Sequence, residues 1–503
     1  MQFGVSESIV HWGKYTPDAP AVYHNGRITS FRELDSLINV LCHEISAANF
    51  QCERIAIAVK SKFHLLASLI SILRTGKSAV LLNIGLSDEA IRTNINDTKV
   101  MALIHDNHYE KIKKFIDGLS ENQTLNVSDV LENFRLPTKP FSPAIIRQPK
   151  DEWGILFSSG STGIPKGIER DHNSIVTELL GWCLELGLNR QTSFYIGRPI
   201  YYTGGLVLSL ATLLVGGKIF LNDFVDDNTP SEVWRDYQST LGSDSLKLAF
   251  FVPDQIRAFV EITKTLEMPP CGAETILVMG APISGDEKVK AACLLHSRIV
   301  ESWGNSESLG TITDADDLEK RPNSIGRPFL TDELYIVDER CMPLGPFQHG
   351  KIAGSEEAGF LQYSNRPKET DLAKRDDLII SDDIGYIDDD GYVYVCGRDQ
   401  DCILDKGTTV FIPDIERKLR TNDSIRECCV VANTLSDGSI ELVGVIVLSG
   451  EVSTKESELI QQLNRTLGEH EQLTRVLLIS SMPRLPSGKV DRVAVKRIAS
   501  DTK

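Results

Sequence analysis

Apolar, strand-like runs recur along this chain with helical stretches between them, and that alternation limits its architecture more than any other feature. Ile55-Ala56-Ile57-Ala58-Val59 and Ser78-Ala79-Val80-Leu81-Leu82 read as buried strands on either side of a helical stretch at 65–74. Runs at 101–104, 154–157, 218–221 and 246–252 repeat the pattern. Continuous apolar runs mark strands buried on both faces, so the expected fold is α/β, layered, with largely parallel sheets. Near Arg327 the texture changes. From there to about Val395 the strands are short and alternate polar with apolar, with turn signals such as Asp390-Gly391 between them. An antiparallel sheet or a small β-barrel-like subdomain is expected there. After a charged joint at 397–401 an α+β pattern follows, with helices at 414–420 and 453–467 and strands at 428–432, 442–447 and 475–479. The expected organisation is a large N-terminal domain, 1–397, and a small, mobile α+β C-terminal domain, 398–503.

Composition narrows the function classes. The formal net charge is −17, which argues against general nucleic-acid binding because that needs a basic face. A local pocket can still be basic and take a small anion. The ten cysteines lack C-x-x-C spacing and read as small core residues of a reducing compartment. Neither a zinc site nor a disulfide framework is expected. Cys428-Cys429 opens an apolar run, as a buried strand does. No apolar stretch approaches the ~20 residues of a membrane span. The first residues lack the basic and then apolar pattern of a secretory signal. The resulting expectation is a cytoplasmic protein without a membrane span.

The strand-like 153–157 runs into Ser158-Ser159-Gly160-Ser161-Thr162-Gly163-Ile164-Pro165-Lys166-Gly167. Glycines allow positive φ and close backbone approach, so such a loop can close N–H groups and hydroxyls on phosphate oxygens. Lys166 adds a point charge. The loop is not the P-loop of common nucleotide hydrolases, which ends in Gly-Lys-Ser/Thr; here Pro165 precedes the lysine and Gly167 follows it. Four more polar segments interrupt apolar surroundings: Val278-Met279-Gly280-Ala281-Pro282-Ile283-Ser284, Glu301-Ser302-Trp303-Gly304-Asn305-Ser306-Glu307, Ser381-Asp382-Asp383-Ile384-Gly385-Tyr386, and Leu485-Pro486-Ser487-Gly488-Lys489-Val490-Asp491-Arg492.

In this order and at these spacings the segments resemble the adenylate-forming enzymes: acyl- and aryl-CoA ligases, luciferases and the adenylation domains of peptide synthetases. The resemblance covers essentially the whole chain, including Thr16-Pro17-Asp18-Ala19-Pro20 and Phe360-Leu361-Gln362-Tyr363-Ser364-Asn365-Arg366-Pro367. It implies ATP, Mg²⁺ and coenzyme A as the small molecules used. Ser158 to Lys166, with Ser159, Gly160, Ser161, Thr162 and Gly163, would hold the β- and γ-phosphates. Glu307 would hold Mg²⁺, and Ser306 would touch the α-phosphate. Adenine would lie between Gly280-Ala281-Pro282 and the ring of Trp303, where relatives usually have Tyr, with Gly304 beside it. Asp383 would accept both ribose hydroxyls, a role its acceptor-only carboxylate suits, with Arg398 assisting. Lys489 would bridge the substrate carboxylate and the α-phosphate. The chemistry explains these residue types: joining two anions into a mixed anhydride demands neutralisation and alignment.

The acid and its acceptor are less sharply written. Arg198-Pro199-Ile200-Tyr201-Tyr202-Thr203-Gly204-Gly205 corresponds to the stretch that lines the family's acid pocket, with Tyr202 in place of a frequent His. Tyr201 and Tyr202 either pack or form an aromatic wall, beside Thr203, Gly204, Gly280 and Gly304. No Asp between Arg198 and Leu210 is present to pair with an α-ammonium, which favours a fatty, aryl or other non-amino acid. His172 reads as structural. The hinge position is Gln400, and Lys406-Gly407 matches the segment near the pantetheine arm, although Leu404 replaces a frequent Lys. The expected activity is acid activation and transfer to a thiol, that of coenzyme A before that of an acyl or peptidyl carrier protein. The departures at Gln400, Leu404 and Tyr202 keep open a nucleotide-binding protein without turnover.

Overall fold

Two sheets with parallel centres organise the larger part of the chain. The structure is a computed structural model and describes residues 4–106, 123–132, 140–142, 147–158, 165–223, 229–266, 272–314, 316–357, 359–405, 408–422, 424–434, 440–449, 456–484 and 490–501. It divides into two units, Met1–Leu334 with Gly354–Ile380, and Tyr335–Ala353 with Ser381–Lys503.

In the first unit one sheet orders its strands Arg327–Pro328, Gly310–Ile312, Arg298–Gly304, Thr275–Val278, Leu248–Phe251, Ser193–Ile196, Lys218–Leu221, Pro20–His24 and Arg27–Ser30. Its centre is parallel, from Arg298–Gly304 across to Pro20–His24. The other sheet orders Gln362–Tyr363, Gly167–Asp171, Glu152–Phe157, Ser78–Leu81, Arg54–Ala58, Leu103–His105 and Thr124–Asn126. Strand Arg54–Ala58 runs parallel to Ser78–Leu81, and helix Lys62–Arg74 connects them as the alternation predicts. The strands read at 218–221 and 246–252 form as Lys218–Leu221 and Leu248–Phe251.

Burial follows the apolar pattern. Helix Thr203–Leu214 is buried from Gly205 to Leu214, with apolar residues all round, as a helix sandwiched inside a layered domain should be. Phe194, Leu206, Leu208, Ala211 and Leu277 belong to one core with Leu66 and Leu69 of helix Lys62–Arg74.

In the second unit residues of strand Leu378–Ile387 pair antiparallel with Val393–Arg398, placing Asp383 opposite Arg398. Strand Ile425–Thr434 pairs antiparallel with Ile440–Leu448, which runs parallel to Arg475–Leu478. Cys428 and Cys429 are buried on the first of these three, as the apolar run implies. Helices Ile412–Arg420, Glu456–Asn464 and Arg492–Asp501 complete the described α+β part. The helix read at 453–467 is shorter, ending at Asn464; Asn464 instead turns its side chain onto the backbone of Leu473. Among the described residues no helix is long and apolar enough to cross a membrane.

Candidate active site

Two neighbouring strands of the first unit deliver the residues read as adenine walls. Val278 lies beside Glu301 in parallel register, so Gly280-Ala281-Pro282, just past its strand, and Trp303, near the end of the neighbouring strand, lie toward the same C-terminal edge. Ligands of open α/β sheets sit outside that edge. Gly280 has φ +99°, a conformation that costs glycine little and a side-chain residue much. Pro282 is held by Arg257, which donates to its carbonyl oxygen at 3.0 Å. Gly280, Ala281, Pro282 and Gly304 are exposed, and Trp303 is half-buried.

The phosphate loop begins and ends on an antiparallel pair. Glu152–Phe157 and Gly167–Asp171 are in register, with Phe157 opposite Gly167. Just beyond, the Ser158 N–H donates to the Lys166 carbonyl at 3.0 Å, and the Lys166 N–H donates to Ser158 Oγ at 3.1 Å. Ser159, Gly160, Ser161, Thr162 and Gly163, the body of the loop, lie outside the described residues. Lys166 Nζ sits 4.9 Å from the centroid of the Tyr363 ring. The Tyr363 hydroxyl donates to Glu307 Oε1 at 2.6 Å. One aromatic side chain therefore takes an ammonium on its face and a carboxylate on its edge.

Ser306 connects that group to the acid side. Its hydroxyl lies 2.8 Å from Thr203 Oγ1, on the first residue of helix Thr203–Leu214. Tyr202 caps that helix, the Tyr201 and Tyr202 ring centroids are 4.7 Å apart, and the Arg198 guanidinium lies 5.7 Å from the Tyr202 ring. A Cβ on Gly204 would come within 2.6 Å of Met279 Sδ, so a larger residue there would have to displace the Met279 side chain at the end of the neighbouring strand. The structure thus brings Lys166, Tyr363, Glu307, Ser306 and Thr203 together, with Tyr201, Tyr202 and Gly204 at the same helix start.

Asp383 and Arg398 belong to the second unit. Arg398 Nε is 3.4 Å from Asp383 Oδ1, across the strand pair. The Asp383 N–H donates to Ser381 Oγ at 3.1 Å, which fixes the backbone that presents the carboxylate. Gln400 lies in the short 3-10 turn Asp399–Asp401. Lys406, Gly407 and Lys489 lie outside the described residues. His172 starts helix His172–Glu185; burial first, and the Arg147 charge second, push it down to about 4, so the ring is neutral at physiological pH.

A model of the AMP-binding enzyme family matches residues 9–363, and that of the AMP-binding enzyme C-terminal domain matches residues 414–489. The chain belongs to the AMP-binding enzyme family. A 2-succinylbenzoate–CoA ligase of Bacillus cereus is 23% identical over 492 residues, covering 97% of this chain and 97% of its own length. Tyrocidine synthase 2 of Brevibacillus parabrevis is 24% identical over 493 residues, 96% of this chain; the chain spans 13% of that protein's length. Among solved structures, the o-succinylbenzoate CoA synthetase of Bacillus subtilis with its acyl-adenylate intermediate superposes with a TM-score of 0.85. It is 19% identical and covers 97% of each chain.

Within this AMP-binding enzyme two contributors escaped the sequence reading. Tyr363 lies in a segment quoted for its resemblance, where it received no role of its own. Arg257, on helix Pro253–Thr263, pairs with Glu287 at 2.6 Å besides holding Pro282. Burial alone would raise the Glu287 carboxyl; the Arg257 guanidinium overrides it and holds the group down at about 2. No local signal marks either role, because both depend on partners far away in sequence.

Proposed function

We propose that this AMP-binding enzyme is an ATP-dependent acid–thiol ligase. It converts a small carboxylic acid (fatty, aryl or other non-amino acid) to an acyl-adenylate with release of pyrophosphate. It then passes the acyl group to a thiol, that of coenzyme A. The observation that carries this reading is the contact chain from Lys166 through Tyr363 and Glu307 to Ser306 and Thr203. It sets a cation, a carboxylate and hydroxyls beside the helix start that carries Tyr201, Tyr202 and Gly204. Phosphate-handling and acid-handling residues are thereby neighbours, as attack of a carboxylate on an α-phosphate requires. The names of the CoA ligase relatives support coenzyme A as acceptor.

The roles follow from the donor types. Lys166 and Ser158 take the β- and γ-phosphates together with Ser159, Gly160, Ser161, Thr162 and Gly163; Ser306 donates to the α-phosphate. Trp303 and Gly280-Ala281-Pro282 enclose adenine, with Gly304 at the rim. Asp383, steadied by Arg398, accepts the ribose hydroxyls. Lys489 supplies the cation between the two reacting anions, Gln400 is the hinge, and Lys406-Gly407 meets the thiol's arm. Glu307, one carboxylate beside phosphate-binding groups, suits a hard cation that takes most of its ligands from phosphate oxygens and water. Bound there, Mg²⁺ neutralises phosphate charge. The reading places the protein in the cytoplasm, where ATP and coenzyme A are available and its ten cysteines stay reduced.

Acid-dependent pyrophosphate release tests this, measured across fatty, aryl and amino acids with and without coenzyme A. The expected outcome is release with a non-amino acid, stimulated by coenzyme A, giving AMP and a thioester. Lys489→Ala should lower adenylation on the order of 10²–10⁴-fold with little change in ATP binding. Release indifferent to coenzyme A points to a carrier-protein thiol. Silence across the panel sinks the ligase reading in favour of nucleotide binding without turnover.

A further inference from the structure

Arg170 has no role in the site as described, yet its surroundings are unusual. It lies on strand Gly167–Asp171, directly after the phosphate loop, and its side chain is 0% exposed. An arginine flanked by a glutamate and an aspartate is here among the largest wholly buried side chains of the described residues. All three of its nitrogens are engaged. Nε donates to Ser174 Oγ at 3.1 Å and Nη1 to the Ser306 carbonyl at 3.2 Å. Nη2 donates to Ser308 Oγ and Glu178 Oε2, both at 3.0 Å. The guanidinium therefore grips the residue before Glu307 and the residue after it.

That turn needs a grip. It closes the hairpin between Arg298–Gly304 and Gly310–Ile312, with the Leu309 N–H donating to Asn305 Oδ1 at 2.9 Å. Ser308 has φ +89°, a strained conformation for a residue with a side chain, which persists only where surrounding contacts fix it. Only the planar fork of an arginine can reach both flanking residues and still pair with a carboxylate. Burying a guanidinium costs several kcal/mol unless it is paired, and Glu178, 13% exposed, supplies the pairing charge.

We propose that Arg170 is a positioning residue of the phosphate site: by clamping Ser306 and Ser308 it sets the Glu307 carboxylate and the Ser306 hydroxyl in the arrangement that receives metal-bound ATP. This rests on the role given to Glu307 above. The clamp links the strand that ends the phosphate loop to the turn that carries the metal-binding carboxylate, so both halves of the site share one register.

The test uses the full chain and ATP titrated by calorimetry, without acid, in Mg²⁺ and in EDTA. Pyrophosphate release as a function of Mg²⁺ and thermal unfolding are measured in parallel. Arg170→Lys keeps the charge beside Glu178 and loses the fork. It should reduce the Mg²⁺-dependent tightening of ATP about tenfold and raise the Mg²⁺ needed for half-maximal release by a similar factor; the acid KM and the affinity in EDTA stay within about twofold. Ser308→Ala, which leaves the ion pair intact, should move both readouts the same way by about threefold. Glu178→Gln should lower the melting temperature while leaving the Mg²⁺-dependent increment in place. The inference is overturned if Arg170→Lys, or Ser308→Ala should the first not fold, keeps the wild-type Mg²⁺ increment. It is equally overturned if Glu178→Gln loses that increment in proportion to its stability. A wild-type protein that releases no pyrophosphate with any acid would sink the ligase reading alone, since the calorimetric comparison needs no turnover.

Discussion

Two arginines hold two turns of this site by the same device, in different surroundings. Arg170 donates to the Ser306 carbonyl and pairs with Glu178 on helix His172–Glu185. Arg257 donates to the Pro282 carbonyl and pairs with Glu287 on helix Gly285–Leu295. Arg170 is 0% exposed, whereas Arg257 is 30% exposed. The second acid differs too. Beside Arg257 it is Asp254, three residues away on the same helix and an ordinary surface partner. Near Arg170 it is Asp332, whose carboxyl is pushed up to about 7, by burial first and then by the Glu178 charge. A guanidinium in water-poor surroundings carries one carboxylate fully and a second only in part. One that reaches solvent carries two with ease. The turn at Pro282, proposed to enclose adenine, is thus held by an adaptable surface network, and the turn at Glu307, proposed to hold the metal, by a buried one with little slack.

The sharpest way to break this contrast is to remove each cation. Arg170→Met leaves Glu178 poorly solvated without its partner and should cost about 3–5 kcal/mol, the scale for stranding a buried charge. Arg257→Met should cost about 1 kcal/mol, because Glu287 keeps the Ser284 N–H at 2.7 Å and reaches water. Urea unfolding of both variants decides the matter. Similar losses would show that burial does not set the difference. Arg170→Met with Glu178→Met should recover much of the loss, since no lone charge then remains.

Asp332 gives the next effect. Its folded carboxyl titrates at about 7, above the ordinary 3.8, so between those values the folded state binds more protons than the unfolded one. The stability it contributes is full below pH 4 and falls as pH rises through about 7. Asp332→Asn should flatten the slope of unfolding free energy over that window and stabilise the protein at pH 8, with little change at pH 4. An unchanged slope would mean that the carboxylate finds adequate solvation or pairing with Arg170 after all.

What the sequence makes legible divides along the same line. The strands around Ile55–Val59 and Lys218–Leu221 are readable because local residue type and spacing carry their physics, whereas Trp303, Ser306 and Glu307 are singled out by family resemblance. The clamp is not. Arg170 and Ser306 are 136 positions apart, and Tyr363 and Glu307 are 56 apart. Single-sequence periodicity cannot report that a charged residue faces inward when its strand is buried on both faces. The same holds for Thr203: its hydroxyl looks like an ordinary helix-start group until the fold brings Ser306 to it, 103 positions on.

The smallest effect sharpens the surface half of the comparison. Glu287 is held at about 2 when folded against an ordinary 4.5, so the stability it contributes is present above pH 4.5 and is lost as pH falls through about 2. The pair is 30% and 27% exposed, so solvent and salt screen it, and Glu287→Gln should cost on the order of 1 kcal/mol at pH 7. That cost should shrink in 1 M salt, where the screening length is only about 3 Å, and vanish near pH 2. Glu178→Gln, measured beside it, should keep its larger cost in the same salt, because no ions enter the space around a wholly buried guanidinium. If both costs respond to salt alike, water and ions reach Arg170, and the turn at Glu307 is held no more firmly than the turn at Pro282.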